Sequence, residues 1–526
     1  MTSGRALTAA AVLVTLASGC ARPAPPPPPA AATTPALPAI ALKELPAFPL
    51  KAHVESADIV GGKYTVAQLV DAGGDLFHTP FNGLDGVGSF VREDGSTVPR
   101  FAPLGPRGPS AQACGECHAE PFPTSAGLAH SAVVRAKKGT ITPLNVRSVT
   151  SVFGNGLLQL LAQEMTEDLW SIREGAIATA KSTPGTPVVG QLKSKGIEFG
   201  AVAVTATAAG VVNVDTSKVV GVDPDLVIRP LGWKGDVPTL RVFSAGAAAG
   251  AMGLVADELV WKKTGAGKHP DVDGDGVGRE LSVGDVTALT VYMAAQETPT
   301  DAASLVASGH VQAIGAEDLA RVASGRKVFE ALGCATCHTP EMPLLNTRFE
   351  EPTLRGRGQY YDAALTALDP DYDPKRPFAF DLLQDAQPPR ADARAGGGAT
   401  IRLYGDLKRH AMGRLLADPA GSSDSAGADL GPVMHDGKVV AVAADQFLTA
   451  ELWGVGNSGP WLHDNRAGTL REAIVLHGED APPAVGAAGR SEAQESRDAF
   501  VKAAAADQDA LAAFLLSLRT FSPEKP

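Results

Sequence analysis

Apolar residues recur at helical spacing at two places in the C-terminal half of the chain. At the first, four of them fall near one face of a helix that runs directly into Cys334: Leu319, Val322, Phe329 and Leu332. At the second, four follow an i, i+3, i+4, i+7 stripe: Leu511, Phe514, Leu515 and Leu518. Such stripes indicate helices that bury one face. They predict a helix before residue 334 and a terminal helix that packs across it.

The first half of the chain shows a similar closing helix and, before it, an insert of another kind. Ser282 and Asp285 have the spacing of a capping box at a helix N-terminus. Three apolar residues then follow on one helical face: Val286, Leu289 and Met293. Upstream, the segment Gly200–Val227 is rich in Val, Thr and Ala, which predicts a few inserted strands.

The N-terminus has the pattern of an export signal followed by a tether. Arg5 precedes the apolar run Ala6–Ala17, which is too short to cross a bilayer but long enough for a signal peptide. Small residues then lead to Cys20, so residues 1–20 are predicted to be a lipoprotein signal, with an ordinary secretory signal as the alternative. Residues 21–50 are Pro/Ala-rich and predict a semi-rigid tether. We expect a protein on the periplasmic side of a bacterial envelope, held to a membrane only through the lipid.

Composition and charge narrow the class of protein. The 526 residues include 46 Lys and Arg against 58 Asp and Glu, a formal charge of −12. This balance, without a basic stretch, argues against a nucleic-acid partner, because such binding rests on neutralising phosphates. A hydrophobic fraction of 44% excludes wholesale disorder.

Every cysteine outside the signal belongs to a Cys-x-x-Cys-His motif. The motif residues are Cys114, Cys117 and His118, and Cys334, Cys337 and His338. This motif attaches c-type haem: its thiols add to the two vinyl groups and its imidazole is the proximal iron ligand. A zinc site or a redox Cys-x-x-Cys pair is the alternative, but zinc-binding cysteine pairs usually come within about 20 residues of each other. These motifs lie 220 residues apart, and they predict two covalently attached haem c groups.

The helices around each motif match the basic plan of a cytochrome c. We therefore expect a mainly α fold with two cytochrome c-like haem domains, long loops and a small β insertion in the first domain. The first domain is predicted to span residues 51–305 and the second residues 306–526. Each iron has one more axial position, and its occupant decides function. The histidines that could supply it are His78, His130, His269, His310, His410, His435, His463 and His477.

Several segments resemble the bacterial dihaem oxidoreductase family, which includes dihaem peroxidases and is related to the dihaem cytochrome c peroxidases. The matching segments are 232–240, 273–276, 283–289, 404–413, 452–464 and 469–478. The resemblance extends over about residues 70–520 and is most specific in the C-terminal segments. It implies two cytochrome c-like domains that cooperate across an interface.

The resemblance also implies further ligands. In the dihaem peroxidases, the methionine that ligates the electron-accepting haem follows a His-Asp motif by fourteen residues. Here the fourteenth residue after His463 is His477, so it is the implied distal ligand opposite His338. Replacing Met by His lowers the reduction potential. A mobile loop of the relatives carries a displaceable histidine, which implies that His130 is the first haem's distal ligand or its acid/base group.

Two weaker patterns concern carboxylates. Glu164 is a candidate catalytic proton shuttle in the distal pocket, since heterolytic peroxide cleavage needs one. Asp271, Asp273 and Asp275 alternate before a glycine, as in a calcium loop. Ser282 stands at the twelfth position, where an EF-hand has glutamate, so a smaller calcium clip is the hypothesis and a plain acidic turn the alternative.

The sequence thus predicts an exported dihaem c-type oxidoreductase that reduces hydrogen peroxide at one haem with electrons relayed through the other. A small cytochrome or cupredoxin is the expected electron donor. One alternative is a dihaem electron-transfer protein with both irons bound by two histidines. Another is an oxidase that modifies a protein or an organic substrate. An exchangeable iron position separates a peroxidase from an electron carrier.

Overall fold

The structure is a computed structural model. It describes residues 50, 52–87, 111–119, 133–136, 143–271, 276–310, 313–353, 369–373, 375–419, 434–435, 438–439 and 442–521. The chain from Ala47 to Pro526 forms one compact unit. The described part of that unit mixes helix and sheet, where a mainly α fold was expected. The division into haem domains near residue 305 stays a prediction.

Thirteen α-helices lie in the described residues, and they include the predicted packing pair of the C-terminal half and the predicted closing helix of the first half. Their bounds are Ser56–Val60, Val66–His78, Cys114–Cys117, Asn155–Ser182, Leu240–Ala247, Asp257–Thr264, Val283–Ala294, Ala302–Ala307, Ala316–Ala331, Gly413–Leu416, Leu470–Val475, Gln494–Lys502 and Ala505–Ser517. A π-helical turn, Ala248–Met252, extends one of them, and 3₁₀ turns form at Cys334–Thr336 and Val455–Asn457. No helix of this described part is long and apolar enough to cross a membrane.

The strands of the described residues form small antiparallel sheets of two or three strands. Their bounds are Val133–Ala136, Pro143–Arg147, Val188–Ser194, Ile197–Ala206, Val212–Val219, Thr300–Asp301, Met342–Leu344, Arg348–Glu351, Phe378–Asp381, Asp392–Ala393, Ala399–Ile401, Arg409–Ala411, Met434–His435, Lys438–Val439, Gln446–Leu448 and Leu518–Arg519. Most strands after residue 300 have only two to four residues, too few for an alternating apolar pattern to be recognised.

The predicted helix pair in the C-terminal half is confirmed. Helix Ala316–Ala331 leads into the second motif and packs against the terminal helix Ala505–Ser517. Gly325 makes the close approach possible, because a Cβ there would overlap the carbonyl of Ala510 and lie 2.7 Å from Phe514 Cβ. Small residues at such a crossing let two helix backbones meet.

The first half contains a helix pair with the same local design. Helix Val66–His78 packs against Val283–Ala294, whose predicted capping box is present. A Cβ on Gly73 would overlap the carbonyl of Ala288 and lie 2.7 Å from Tyr292 Cβ. In both pairs, therefore, a glycine of the first helix meets an alanine carbonyl and the aromatic residue four positions later.

The strands predicted within Gly200–Val227 are present, and they begin earlier than expected, at Val188. Strands Val188–Ser194, Ile197–Ala206 and Val212–Val219 form one three-stranded antiparallel sheet. Lys195 and Gly196 both have positive φ, as a two-residue hairpin turn requires. The sheet packs on the long helix Asn155–Ser182.

Candidate functional site

The first motif presents its histidine in one defined orientation. Cys114–Cys117 is a single helical turn, and the backbone N–H of His118 donates to the Cys114 carbonyl at 3.0 Å. The His118 ring bonds through Nδ1 to the carbonyl oxygen of Thr150 at 2.9 Å. A carbonyl only accepts hydrogen bonds, so Nδ1 carries the proton and the lone pair is on Nε2. This tautomer and anchoring are typical of a metal-ligating histidine.

The second motif repeats this arrangement 220 residues later. The backbone N–H of His338 donates to the Cys334 carbonyl at 3.0 Å, and its Nδ1 bonds to the carbonyl of Tyr404 at 3.1 Å. Once more Nδ1 must be the donor and Nε2 the basic nitrogen. Both histidines are therefore oriented by backbone carbonyls from distant parts of the chain.

The four thiols do not form disulfides. Burial raises the pKa of Cys114 to about 12 and that of Cys334 to about 11, so both remain thiols at neutral pH. A reactive redox dithiol needs the opposite shift. Within the described residues Cys337 lies with Asp406 and His410 in a cluster whose ligand atoms are within 4.8 Å of one another, but the other three thiols are not part of it, which argues against a zinc site shared by the four thiols.

His477 lies beside His338. Their ring centroids are 6.4 Å apart, and the planes make an angle of 58°. His477 Nδ1 bonds to the Ala473 carbonyl at 2.7 Å, so its basic nitrogen is also Nε2. Two imidazoles on opposite sides of one metal ion would have centroids roughly 6 Å apart, given metal–nitrogen bonds of about 2 Å.

Both rings are in the form that binds metal. Burial, and after it the proximity of His477, lowers the pKa of His338 to about 4. Burial also lowers the pKa of His477. Each imidazole is neutral near pH 7, as iron ligation requires. The residues present thus fit a haem whose iron His338 and His477 would hold.

One cavity connects the two motifs. Its volume is about 320 Å³, and its wall includes His118 from the first motif and Cys334, Cys337 and His338 from the second. His477 belongs to the same wall. The cavity is mostly apolar, as expected of a cofactor site.

Three tryptophans line this cavity and are held by the backbone. Trp233 Nε1 donates to the Ser148 carbonyl at 2.9 Å, and Trp461 Nε1 donates to that of Val455 at 3.0 Å. Trp453 lies so close to Gly154 that a Cβ there would be 2.7 Å from its ring. Aromatic side chains thus form part of the cavity wall to which both motif histidines belong.

Two further histidines of the wall are engaged elsewhere. His410 bonds through Nε2 to Asp406 at 2.8 Å and through Nδ1 to Glu492 at 2.7 Å. Burial lowers the pKa of His410, but these hydrogen bonds and one to Cys337 outweigh it and raise the pKa to about 11. As an imidazolium, His410 has no lone pair for a metal.

His463 stacks on Phe447 with centroids 4.3 Å apart, and burial lowers its pKa to about 4. Its backbone carbonyl accepts from Ser148 N at 2.7 Å, which ties the His-Asp segment to the first half of the chain. His463 is a neutral wall residue of the cavity.

Glu164 lies away from this cavity. Its carboxylate accepts from Lys195 Nζ at 2.7 Å and from the backbone N–H groups of Leu345 and Asn346 at 2.9 Å. These donors occupy the carboxylate in a buried structural contact. The geometry gives no support to a catalytic role for Glu164.

Some of the other residues that the sequence analysis singled out lie outside the described ranges. His130, Asp273 and Asp275 are outside them. Asp271 is described, and its carboxylate accepts from Gly276 N at 2.9 Å. His78 packs behind the first motif, with Nε2 3.1 Å from the Tyr292 hydroxyl.

The sequence patterns did not single out Glu451. This residue lines the cavity, its Oε1 is buried without a hydrogen-bond partner among the described residues, and burial raises its pKa to about 7. The available signal was its position two residues before Trp453.

No family model and no curated protein sequence matches the chain. Among solved structures, it is similar to a MauG-like protein associated with microbial copper homeostasis: 15% identity and a TM-score of 0.27, over 60% of this chain and 78% of that one. It is also similar to Kuenenia stuttgartiensis hydrazine synthase: 12% identity and a TM-score of 0.30, over 86% of this chain and 93% of that one. Likeness this distant assigns neither fold nor activity, so the functional argument rests on the chain's own residues.

Proposed function

We propose that the protein is a dihaem c-type redox protein with one covalent haem at each Cys-x-x-Cys-His motif. The supporting observation is the shared cavity, into which both motif histidines face with Nδ1 anchored on a backbone carbonyl. When bound, haem supplies one-electron redox chemistry. The protein's part is to fix the ligands, exclude water and hold the two sites close together.

The second site is proposed to relay electrons. His338 and His477 would both hold the haem iron there, so this site would transfer electrons without binding a substrate. Ligation by two histidines favours a lower potential than ligation by His and Met. Both rings are anchored through Nδ1 to backbone carbonyls, which would hold them in place when the charge of the site changes.

The first site is proposed to reduce hydrogen peroxide. Two electrons and two protons convert one peroxide into two waters, and an outside redox protein, a small cytochrome or cupredoxin, supplies the electrons. The resemblance to dihaem peroxidases implies that His130 is the distal ligand or acid/base group here. The proposal includes export and attachment at Cys20 to a membrane of a bacterial envelope.

A pure electron-transfer function is the second candidate, because the nearness of His338 and His477 supports one site whose iron two histidines would hold. Electron paramagnetic resonance of the ferric holoprotein, repeated after one-electron reduction, separates the two. A high-spin signal in either state supports the peroxidase, and His130→Ala is then expected to change that signal. Two low-spin signals that persist on half-reduction contradict the peroxide site and favour the electron carrier.

A further inference from the structure

The cavity contains a carboxyl group that the proposed function does not use. Glu451 is part of its wall, between Thr449 and Trp453 in sequence. Its Oε1 is buried and has no hydrogen-bond partner in the part of the chain that the structure describes. Leaving a buried carboxylate oxygen unpaired costs free energy unless the group is protonated or meets a positive charge.

Residues 404–408 form the turn that packs against Glu451, and this turn carries several ionisable groups. The Glu451 Cα lies 3.7 Å from where Gly405 would carry a Cβ, and Thr449 N donates to the Lys408 carbonyl. Asp406 in this turn is bound to His410. The other ionisable groups of this turn are Tyr404 and Lys408.

The remaining charged groups of the wall are also paired. Glu492 binds His410, and Arg497 is bound by Asp480 and Asp498. The histidines around the cavity whose pKa is lowered by burial are neutral at pH 7: His338, His463 and His477. His118 and the motif thiols Cys334 and Cys337 complete the titratable groups of this wall. Within the described residues Glu451 is thus the cavity acid without an ion pair.

We propose that Glu451 is a redox-linked proton site: it takes up one proton when an electron enters the cavity and releases it when the electron leaves. The electron comes from the outside one-electron donor and the proton from water, so the cavity's net charge is unchanged. The Glu451 carboxylate becomes a carboxylic acid, and no other bond forms or breaks. This inference rests on the proposed haem function and adds to it the group that compensates the charge.

Electrostatics favours this role. An electron added to an apolar cavity repels a nearby carboxylate strongly, because the local dielectric constant is low. Burial already raises the pKa of Glu451 to about 7, so a modest further repulsion changes its protonation state near neutral pH. A glutamate whose pKa is far from 7 would remain either ionised or protonated in both redox states.

The test is the pH dependence of the midpoint potentials of the holoprotein, measured by redox titration from pH 5.5 to 8.5. At least one potential of the wild type is expected to fall near pH 7, by up to about 59 mV per tenfold drop in proton concentration. Glu451→Gln, which is nearly isosteric, is expected to flatten that slope. Redox-difference infrared spectra should show a carboxylic acid band on reduction of the wild type that the variant lacks.

Glu297→Gln is the matched control. Burial also raises the pKa of Glu297 to about 7, but this residue is not part of the cavity wall, so its variant should keep the slope. A slope that persists in Glu451→Gln, or a flat wild-type potential, overturns the proton site and leaves the haem proposal standing. A preparation without covalent haem contradicts the proposed function itself, and this inference with it.

Discussion

His338 and His477, 139 residues apart in sequence, lie with their ring centroids 6.4 Å apart in the wall of one cavity. Each donates its Nδ1–H to a backbone carbonyl, so the two basic nitrogens belong to the same tautomer. No hydrogen bond joins the two rings among the described contacts. This distance and these tautomers are compatible with a metal ion held by both histidines.

Replacing His477 should therefore change the second site alone. His477→Met is expected to raise the lower midpoint potential by on the order of 100 mV, within the roughly 0.8 V that axial ligands span. His477→Ala should convert one low-spin signal to high-spin. Redox titration and electron paramagnetic resonance measure these changes.

His310→Ala is the control for these variants, because His310 contacts Phe521 and is not part of the cavity wall. It should leave both potentials and both signals as in the wild type. If His477→Met has no effect on either potential, His477 is not an axial ligand.

Because the two helices approach closely at Gly325, adding a single methyl group there should destabilise the fold. Gly325→Ala places a Cβ against the Ala510 carbonyl, so the helix pair must separate, at a cost of about 1–3 kcal/mol. Gly175→Ala is the matched variant, since this helical glycine is exposed with open space around it. That change should stabilise by about 0.5–1 kcal/mol. Urea unfolding of both holoproteins measures the difference, and equal effects would contradict the packing described.

The raised pKa of Glu297 should make the stability of the fold depend on pH. Burial raises its pKa from 4.5 to about 7, so the protonated folded form contributes stability that is complete below pH 4.5 and is lost as pH rises to about 7. Glu297→Gln cannot ionise. Its unfolding free energy should therefore rise relative to the wild type between pH 5 and pH 8, by up to roughly 3 kcal/mol. Exposed Glu495→Gln should show no such trend; the same trend in both variants would rule out Glu297 as the source.

Replacing Glu164 distinguishes a structural role of this residue from a catalytic one. Glu164→Ala removes the partner of the buried Lys195 ammonium and should destabilise the fold by roughly 3–5 kcal/mol. Peroxide turnover per folded holoprotein should stay unchanged, because Glu164 lies outside the cavity wall. Lost turnover with intact stability would restore the catalytic interpretation.

The helices could be predicted because their signals are local. The capping box at Ser282 and the apolar stripe from Leu511 to Leu518 are patterns within short segments of sequence, and both helices form. The terminal helix ends at Ser517, so Leu518, the last residue of the predicted stripe, lies in a short strand. The Cys-x-x-Cys-His motifs are local as well. The short strands after residue 300 depend on distant partners, as in the pairing of Arg409 with Leu448, and no short window contains that information.

The same distinction applies to the site. The place of His477 beside His338 was implied by family resemblance, whereas spacing alone left several histidines open. The pairing of His410 with Asp406 and Glu492 brings together residues up to 82 positions apart, so its charge could not be read from sequence. Glu451 was missed for a similar reason: burial, not residue type, sets its pKa.

The central claim is one covalent haem at each motif, and the mass of the purified holoprotein tests it most directly. Intact-protein mass spectrometry after expression with a haem c maturation system should show two haem additions that survive denaturation. A variant with Cys114→Ser and Cys117→Ser should retain one, and a variant with Cys334→Ser and Cys337→Ser should retain the other. An unmodified wild-type mass, or two additions that persist in either variant, would contradict the account.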